Sequence, residues 1–181
     1  MNTKPKLVIM VGPPGSGKTY IAAQFASKNR FVHVNSDLVR AKYFLNPQFT
    51  SEERARVYVK IQEVISEQLA QGHNVVFDGN LLTSDARFEA LEHYQKLGAD
   101  VLFVHLDIPR EVAIQRALSR TTSRDGLYNA MPEERATRMH DTFERLDPSL
   151  PQVVITSTDE YDVVDAQVLN ALRNMPQSEA P

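Results

Sequence analysis

The chain contains no cysteine among its 181 residues. Disulfide bonds, thiolate zinc sites, iron–sulfur clusters and cysteine nucleophiles are therefore excluded. Long apolar runs are also missing, so no segment is expected to span a bilayer. The first residues, 1–6, lead directly into a predicted strand instead of a secretion signal. We therefore expect a cytoplasmic protein without a membrane partner.

The chain also lacks an excess of positive charge, since its formal net charge is −3. The chain as a whole does not attract nucleic acid, and binding to it would need a local basic groove. Hydrophobic residues make up 42% of the chain and charged residues 24%, the balance of a soluble globular protein. The length fits one domain, which we expect over residues 1–173, followed by a flexible tail at 174–181.

Short apolar runs alternate with longer amphipathic segments along the chain, as in parallel strands joined by helices. The predicted strands are 7–11, 31–34, 75–77, 101–106 and 153–156. The predicted helices are 18–29, 37–44, 51–71, 83–97, 109–120, 132–146 and 162–173. The pattern predicts a doubly wound α/β fold with a five-stranded parallel sheet. Ligands of such sheets bind beyond the carboxyl ends of the strands.

A phosphate-binding loop joins the first predicted strand to the first predicted helix. Its residues are Gly12, Pro13, Pro14, Gly15, Ser16, Gly17, Lys18 and Thr19. Glycines allow the backbone N–H groups to wrap around phosphates, and the start of the helix adds a partial positive charge. We expect Lys18 to reach the β- and γ-phosphates of a nucleoside triphosphate and the Thr19 hydroxyl to ligate Mg²⁺. The alternative, a plain strand-to-helix turn, does not account for the full motif.

Three classes of P-loop protein remain possible: a GTP switch, a motor ATPase and a phosphotransferase. A GTP switch needs a guanine-reading Asn-Lys-x-Asp element, which the sequence lacks. A motor ATPase usually carries an acidic pair after its third strand, where the second residue orients water. Here Asp78 is followed by Gly79, so a kinase is favoured.

Two acidic positions lie at predicted strand ends. Asp37 and Arg40 are three residues apart on a short helix, so they share a face. The carboxylate could accept the proton of an attacking hydroxyl while the arginine holds the acceptor. Alternatively, Ser36 or Asp37 caps the helix and Arg40 is a solvated surface charge. Asp78 is suited to hold Mg²⁺, although Asp-Gly-Asn also suits a turn.

Arginines are spaced along the later part of the chain, at Arg110, Arg116, Arg120 and Arg124. Beside a polar segment, they would suit a lid that stabilises charge on a transferring phosphoryl group. A solvated helix end is the alternative. The histidines, including His33, His105 and His140, do not group at metal-ligand spacing, and we interpret them as structural or surface residues.

Over residues 6–156 the sequence resembles small P-loop kinases, namely the kinase domain of bacterial and phage polynucleotide kinases and the zeta-toxin-like kinases. The resemblance rests on the P-loop and on three further elements: Asn35-Ser36-Asp37-Leu38-Val39-Arg40, Val76-Phe77-Asp78-Gly79-Asn80 with Arg87, and Arg116-Ala117-Leu118-Ser119-Arg120. It implies a strand order 2-3-1-4-5 and a helical lid at about residues 116–146. The sequence differs from that of many such kinases after the third strand, where it has Asp78-Gly79-Asn80 and they have Asp-Ala-Thr-Asn or Asp-x-Thr-Asn.

The resemblance also implies roles for single residues. Asp37 would be the general base for a 5′-hydroxyl, and Arg40 would contact a phosphate of the acceptor. Arg120 or Arg116 would meet the phosphates of the donor, and Arg87 would help to bind the substrate. We expect no attached phosphatase or ligase domain, so a repair kinase of this kind would work alone or with separate partners.

The sequence therefore predicts an ATP- and Mg²⁺-dependent kinase that transfers the γ-phosphoryl group to a hydroxyl. Its predicted catalytic residues are Asp37, Lys18, Arg40 and Arg120. The leading acceptor is DNA or RNA, either a 5′-hydroxyl end or a hydroxymethylated base. A small-molecule acceptor, such as a nucleoside, sugar, antibiotic or nucleotide sugar, is the alternative, and a non-catalytic nucleotide-binding module is a third reading. Oligomeric state and the choice between ATP and GTP stay open.

Overall fold

A computed structural model describes residues 4–44, 50–119, 131–156 and 160–175. Its strands are β1 (Lys6–Val11), β2 (Val32–Asn35), β3 (Val75–Asp78), β4 (Asp100–Leu106) and β5 (Gln152–Ile155). Its helices in these ranges are α1 (Lys18–Asn29), α2 (Ser36–Tyr43), α3 (Ser51–Ala70), α4 (Ser84–Lys96), α5 (Arg110–Leu118), α6 (Glu133–Asp141) and α7 (Tyr161–Arg173). None of these helices is both long and apolar enough to cross a membrane.

The five strands form one parallel sheet in the order β2-β3-β1-β4-β5, which confirms the predicted fold class and strand order. The register places Asp78 opposite Met10 of β1 on one side and opposite Asn35 of β2 on the other. The carboxyl ends of these three strands therefore meet at one edge of the sheet, directly before the P-loop and α2.

The sheet is buried on both faces, as the continuous apolar runs of its strands predict. In β1, Leu7 and Ile9 face a core cluster shared with α3 and α4. Val8 and Met10 alternate to the opposite face and pack in a second cluster with α1 and α7. This two-sided packing fixes the strands and so fixes the edge at which the polar residues lie.

The predicted helix at 132–146 is shorter in the structure, because α6 ends at Asp141. Beyond it the Glu144 N–H donates to the carbonyl of Leu82, and Leu146 is buried in the core. In a continued helix this N–H would donate to the carbonyl of the residue four positions earlier. The contact with Leu82 and the burial of Leu146 therefore end α6 early. The predicted last residues of α5 and of the tail, 120 and 176–181, lie outside the described residues.

Candidate active site

The P-loop lies between β1 and α1, with α5 directly behind it. Gly15 has a φ of +81°, and a Cβ added there would lie 1.8 Å from the carbonyl oxygen of Ala113 in α5. Only glycine fits this backbone conformation and this spacing. Gly17, with a φ of 99°, is the N-cap of α1 and turns the chain into the helix. The loop is therefore held in shape by its neighbours as well as by its own sequence.

Two polar side chains of the loop are buried and fit a phosphate ligand. The Lys18 ammonium donates to the carbonyls of Gly12 at 2.6 Å and Pro13 at 3.0 Å, which holds it over the loop. Ser16 is fully buried, and its hydroxyl has no hydrogen-bond partner in the described part of the chain. A buried polar atom of this kind is costly unless a ligand satisfies it, as a phosphate oxygen would.

Asp78 is buried at the end of β3, beside the start of α1. Burial alone would raise its pKa. The pKa of Asp78 is instead lowered below its ordinary value by the nearby His33 ring, whose Nε2 lies 3.8 Å from Asp78 Oδ2, by the charge of Lys18 and by the Thr19 hydroxyl. The carboxylate is therefore ionised at neutral pH. Thr19 and Asp78 together are the residues that would hold Mg²⁺, and their oxygen ligands fit that ion.

Asn35 connects this metal-side carboxylate to the predicted base, a role that the sequence analysis missed. Its amide Nδ2 donates to Asp78 Oδ2 at 2.6 Å. Its Oδ1 accepts from the N–H groups of Asp37 at 2.9 Å and Leu38 at 3.0 Å, which caps α2. An Asn directly before a short helix is a common N-cap, and that signal could have found the residue.

Asp37 and Arg40 are brought together as predicted, and Glu53 joins them. Arg40 Nη1 lies 3.0 Å from Asp37 Oδ1, and Arg40 Nε lies 3.1 Å from Glu53 Oε1. Glu53 is only 8% exposed, although it belongs to the first turn of α3. The Thr50 hydroxyl accepts from the Glu53 N–H, so α3 begins with a side-chain cap that also fixes Glu53. The row Asp37–Arg40–Glu53 holds the predicted base in a fixed place.

A cavity of about 1200 Å³ opens in front of Asp37. Its walls come from α2, α3, the start of α4 and α6, and Asp37 and Arg40 lie among its lining residues. Its lining is largely apolar and includes the core residues Val57 and Phe77. A cavity of this form next to a carboxylate and a P-loop is suited to an acceptor molecule.

Arg87, predicted to help to bind the substrate, does not lie among the lining residues of this cavity. The side chain is 0% exposed. Its guanidinium donates to the carbonyls of Leu81 at 3.0 Å, Leu82 at 2.8 Å and Arg145 at 3.3 Å, and it stacks on the Phe143 ring. Burial lowers the pKa of Arg87 against the opposing charge of Glu144. The residue joins the entrance of α4 to the segment after α6.

The predicted lid arginines are only partly within the described residues. Arg116 is half-buried on α5, the helix behind the P-loop, and Arg110 forms an ion pair with Asp141 of α6. Arg120 and Arg124 lie outside the described residues, so their predicted contact with donor phosphates stays a prediction.

His140 of α6 contacts the P-loop, where the sequence analysis placed only a structural or surface histidine. Its Nε2 lies 3.1 Å from the carbonyl oxygen of Pro14. Burial lowers the pKa of His140, and the charges of Arg110 and Lys18 lower it further, although the Pro14 bond opposes them. A neutral ring with its proton on Nε2 donates to this carbonyl. It fastens α6 to the loop.

The AAA_33 family, described as an AAA domain, matches residues 7–146. The chain belongs to this family. The adenylate kinase of Deinococcus radiodurans is 30% identical to this family member over 154 residues, which cover 78% of this chain and 75% of the relative. The protein is therefore a P-loop kinase, an ATP-dependent phosphotransferase.

Solved structures agree on the fold of this AAA_33 protein. The APS kinase of Mycobacterium tuberculosis in complex with AMPPNP and APS superposes with a TM-score of 0.72 at 18% identity, over 94% of this chain and 99% of that one. A chain of the Pnkp1/Rnl/Hen1 RNA repair complex gives a TM-score of 0.64 at 24% identity, with 79% of this chain but 45% of that one covered. Identities this low show a shared fold alone.

Proposed function

We propose that this kinase transfers the γ-phosphoryl group of ATP to a hydroxyl group of a small molecule. The observation that carries the proposal is the position of Asp37 in a cavity with walls from four helices. A polynucleotide would need a groove in which the strand can continue past the reacting end. The cavity favours instead an acceptor that fits inside it, so the small-molecule alternative replaces the nucleic-acid acceptor as the leading hypothesis.

The relatives support the same choice. The names of the Deinococcus adenylate kinase and of the Mycobacterium APS kinase refer to small-molecule acceptors. One similar structure belongs to an RNA repair complex, but this protein covers less than half of the matched chain. The formal net charge of −3 also gives no general attraction for a polynucleotide.

The chain's own groups divide the work in the proposed reaction. The backbone N–H groups of the P-loop, together with Lys18 and Ser16, bind the donor phosphates. The Asp37 carboxylate accepts the proton of the acceptor hydroxyl while the hydroxyl oxygen forms its bond to the γ-phosphorus and the bond to the β,γ-bridging oxygen breaks. ADP leaves with that oxygen. Mg²⁺ at Thr19 and Asp78 neutralises phosphate charge when it is bound.

The test is incubation with γ-labelled ATP and a panel of acceptors. The panel contains 5′-hydroxyl DNA and RNA, DNA with hydroxymethylated bases, nucleosides, nucleoside monophosphates, sugars and aminoglycosides. We expect label in one or more small molecules and none in the polynucleotides. Label at a polynucleotide end or base would overturn the proposal. Phosphorus NMR of the product identifies the accepting oxygen, and a new phosphate attached to an existing phosphate would contradict transfer to a hydroxyl.

A further inference from the structure

The lining of the acceptor cavity is positively charged in a chain whose net charge is −3. Four arginines and two carboxylates lie among its lining residues, namely Arg40, Arg54, Arg135, Arg138, Asp37 and Glu89. The net charge of the lining residues is thus positive, whereas that of the whole chain is negative. Since local charge decides which ligands a cleft attracts, the cavity is suited to an anionic molecule.

Arg40 does not supply the excess positive charge of the cavity. The resemblance to polynucleotide kinases implies that this arginine contacts a phosphate of the acceptor. Two of its nitrogens face Asp37 and Glu53, at 3.0 Å and 3.1 Å. One positive charge lies between two negative ones, so the group of three carries a net negative charge. An anion that binds near Asp37 needs positive charge from elsewhere in the cavity.

Arg54 of α3 and Arg138 of α6 provide that charge. They line the cavity from two different helices, and neither forms an ion pair within the described ranges. A guanidinium group presents a planar fork of N–H donors that fits carboxylate and phosphate oxygens. Two such groups on separate walls can hold one anionic group between them.

The remaining lining indicates what the rest of the ligand is like. Val57, Ile61 and Phe77 belong to the buried core and reach the cavity surface. They give the ligand an apolar surface to lie on. Tyr58 and Glu89 form a polar position in the same cavity, and their proximity shows in the Tyr58 pKa, which burial and then the Glu89 charge raise. An acceptor here combines an apolar or ring-shaped body with a few polar groups.

We infer that the acceptor is a small molecule with an apolar or ring-shaped body and an anionic group, carboxylate or phosphate, bound by Arg54 and Arg138. The inference rests on the proposed function, because the cavity is an acceptor site only if the protein phosphorylates a small molecule. It narrows that function to one class of acceptor.

The test compares matched neutral and anionic probes. The pairs are benzyl alcohol and 4-(hydroxymethyl)benzoate for a carboxylate, and adenosine and AMP for a phosphate. Calorimetry of binding and steady-state transfer from ATP are measured for the unaltered protein and for Arg54→Gln, Arg138→Gln and the double variant. The control is Arg56→Gln, which changes an arginine of the same helix α3 that stacks on Phe44 outside the cavity lining.

We expect at least one anionic probe to bind more tightly than its neutral partner. Its dissociation constant or KM should rise roughly tenfold in each single variant and further in the double variant, since hydrogen bonds to charged groups contribute about that much. ATP affinity and the Arg56→Gln control should not change. Whether the benzoate or the AMP arm shows this preference identifies the anionic group.

Two results would overturn the inference. One is equal affinity for the neutral and anionic member of both pairs. The other is a preference for the anion that persists unchanged in the double variant. Because binding is measured apart from transfer, failure of the proposed function looks different: an anionic probe binds through Arg54 and Arg138, but no acceptor becomes phosphorylated.

Discussion

Three carboxylates of the site are held by different partners, and these partners decide their chemistry. Asp78 is bound by Asn35 and stays ionised despite burial. The Asp37 side chain forms an ion pair with Arg40. The Asp37 N–H donates to the side chain of the same Asn35, which is the N-cap of α2. Glu53 is the outer member of the row and touches Asp37 only through Arg40. The positions of the proposed base, Asp37, and of the proposed metal ligand, Asp78, are therefore coupled through the Asn35 side chain.

Glu53 should matter for turnover although we expect no contact between it and a substrate. In Glu53→Gln, Arg40 loses a charged partner and holds Asp37 less firmly, so we expect kcat to fall roughly tenfold. The KM for ATP should not change, because the P-loop is untouched. The matched control is Glu52→Gln, an exposed residue of the same helical turn. Equal kcat values in the two variants, measured by steady-state transfer, would contradict a positioning role for Glu53.

Gly15 should be irreplaceable in the P-loop for a steric reason. In Gly15→Ala, the new methyl group would meet the Ala113 carbonyl, and α5 or the loop must shift. We expect ATP affinity, measured by calorimetry, to fall at least tenfold, because misplaced N–H groups no longer match the phosphates.

Gly72 offers a control for backbone strain alone. Its φ is +80°, close to that of Gly15, but an added Cβ there has nothing within 4 Å. Gly72→Ala should cost stability, as strain at a positive φ does, and leave ATP affinity unchanged. Equal ATP affinity in Gly15→Ala and Gly72→Ala would show that the contact with α5 does not shape the loop.

The segment after α6 is held in place by contacts with a single residue of α4, Arg87. The Arg87 guanidinium donates to the carbonyls of Leu81, Leu82 and Arg145 and lies over the Phe143 ring. It thereby fixes both the residues directly before α4 and the segment that follows α6. Both lie beside the acceptor cavity, so Arg87 supports the cavity from behind.

Replacing Arg87 should unfold this region. Arg87→Met keeps most of the apolar volume but removes the side-chain donor of the Leu81 and Arg145 carbonyls and leaves the Leu82 carbonyl with the Glu144 N–H alone, so we expect a loss of about 3 kcal/mol in the free energy of unfolding. Arg173→Met, at an exposed position of α7, is the control and should change stability by less than about 0.5 kcal/mol. Urea denaturation measures both. A loss in Arg87→Met no larger than that of the control would contradict the structural role.

Elements with a strong apolar period were predictable from the sequence, and those shaped by distant contacts were not. The strands and α1 are determined by local pattern and P-loop chemistry, so their predicted bounds agree with the structure to within two residues. Arg87 looked like a substrate ligand because its partner Arg145 is 58 residues away, and no local pattern shows such a contact. The early end of α6 and the contact of Glu53 with Arg40 have the same cause.

The molecule as a whole should lose stability as the pH falls below neutral. Burial lowers the pKa of His105, and the charges of Arg87 and Arg145 lower it further against the opposing effect of Asp107. His140 is shifted in the same direction. An unfolded chain therefore binds protons on these rings at a higher pH than the folded one does. Their contribution is complete above the ordinary histidine pKa of about 6.5 and declines as the pH falls below it.

We expect the free energy of unfolding to decrease between pH 7.5 and 5.5, by up to about 1 kcal/mol per pH unit for each histidine that titrates. His105→Gln should remove part of this slope, whereas His73→Gln, at an exposed position, should retain it. Urea denaturation at a series of pH values gives the slopes. An unchanged slope in His105→Gln would show that another group is responsible.

The role of Asp37 as general base is tested most directly by Asp37→Asn. Asparagine keeps the shape of the side chain but cannot accept the proton of the acceptor hydroxyl. Single-turnover transfer from γ-labelled ATP to the best acceptor of the panel is measured together with the dissociation constant of ATP. We predict a transfer rate lower by about 10²–10⁴-fold, with ATP affinity within about twofold of the unaltered protein. A transfer rate in Asp37→Asn close to that of the unaltered protein would contradict the assignment.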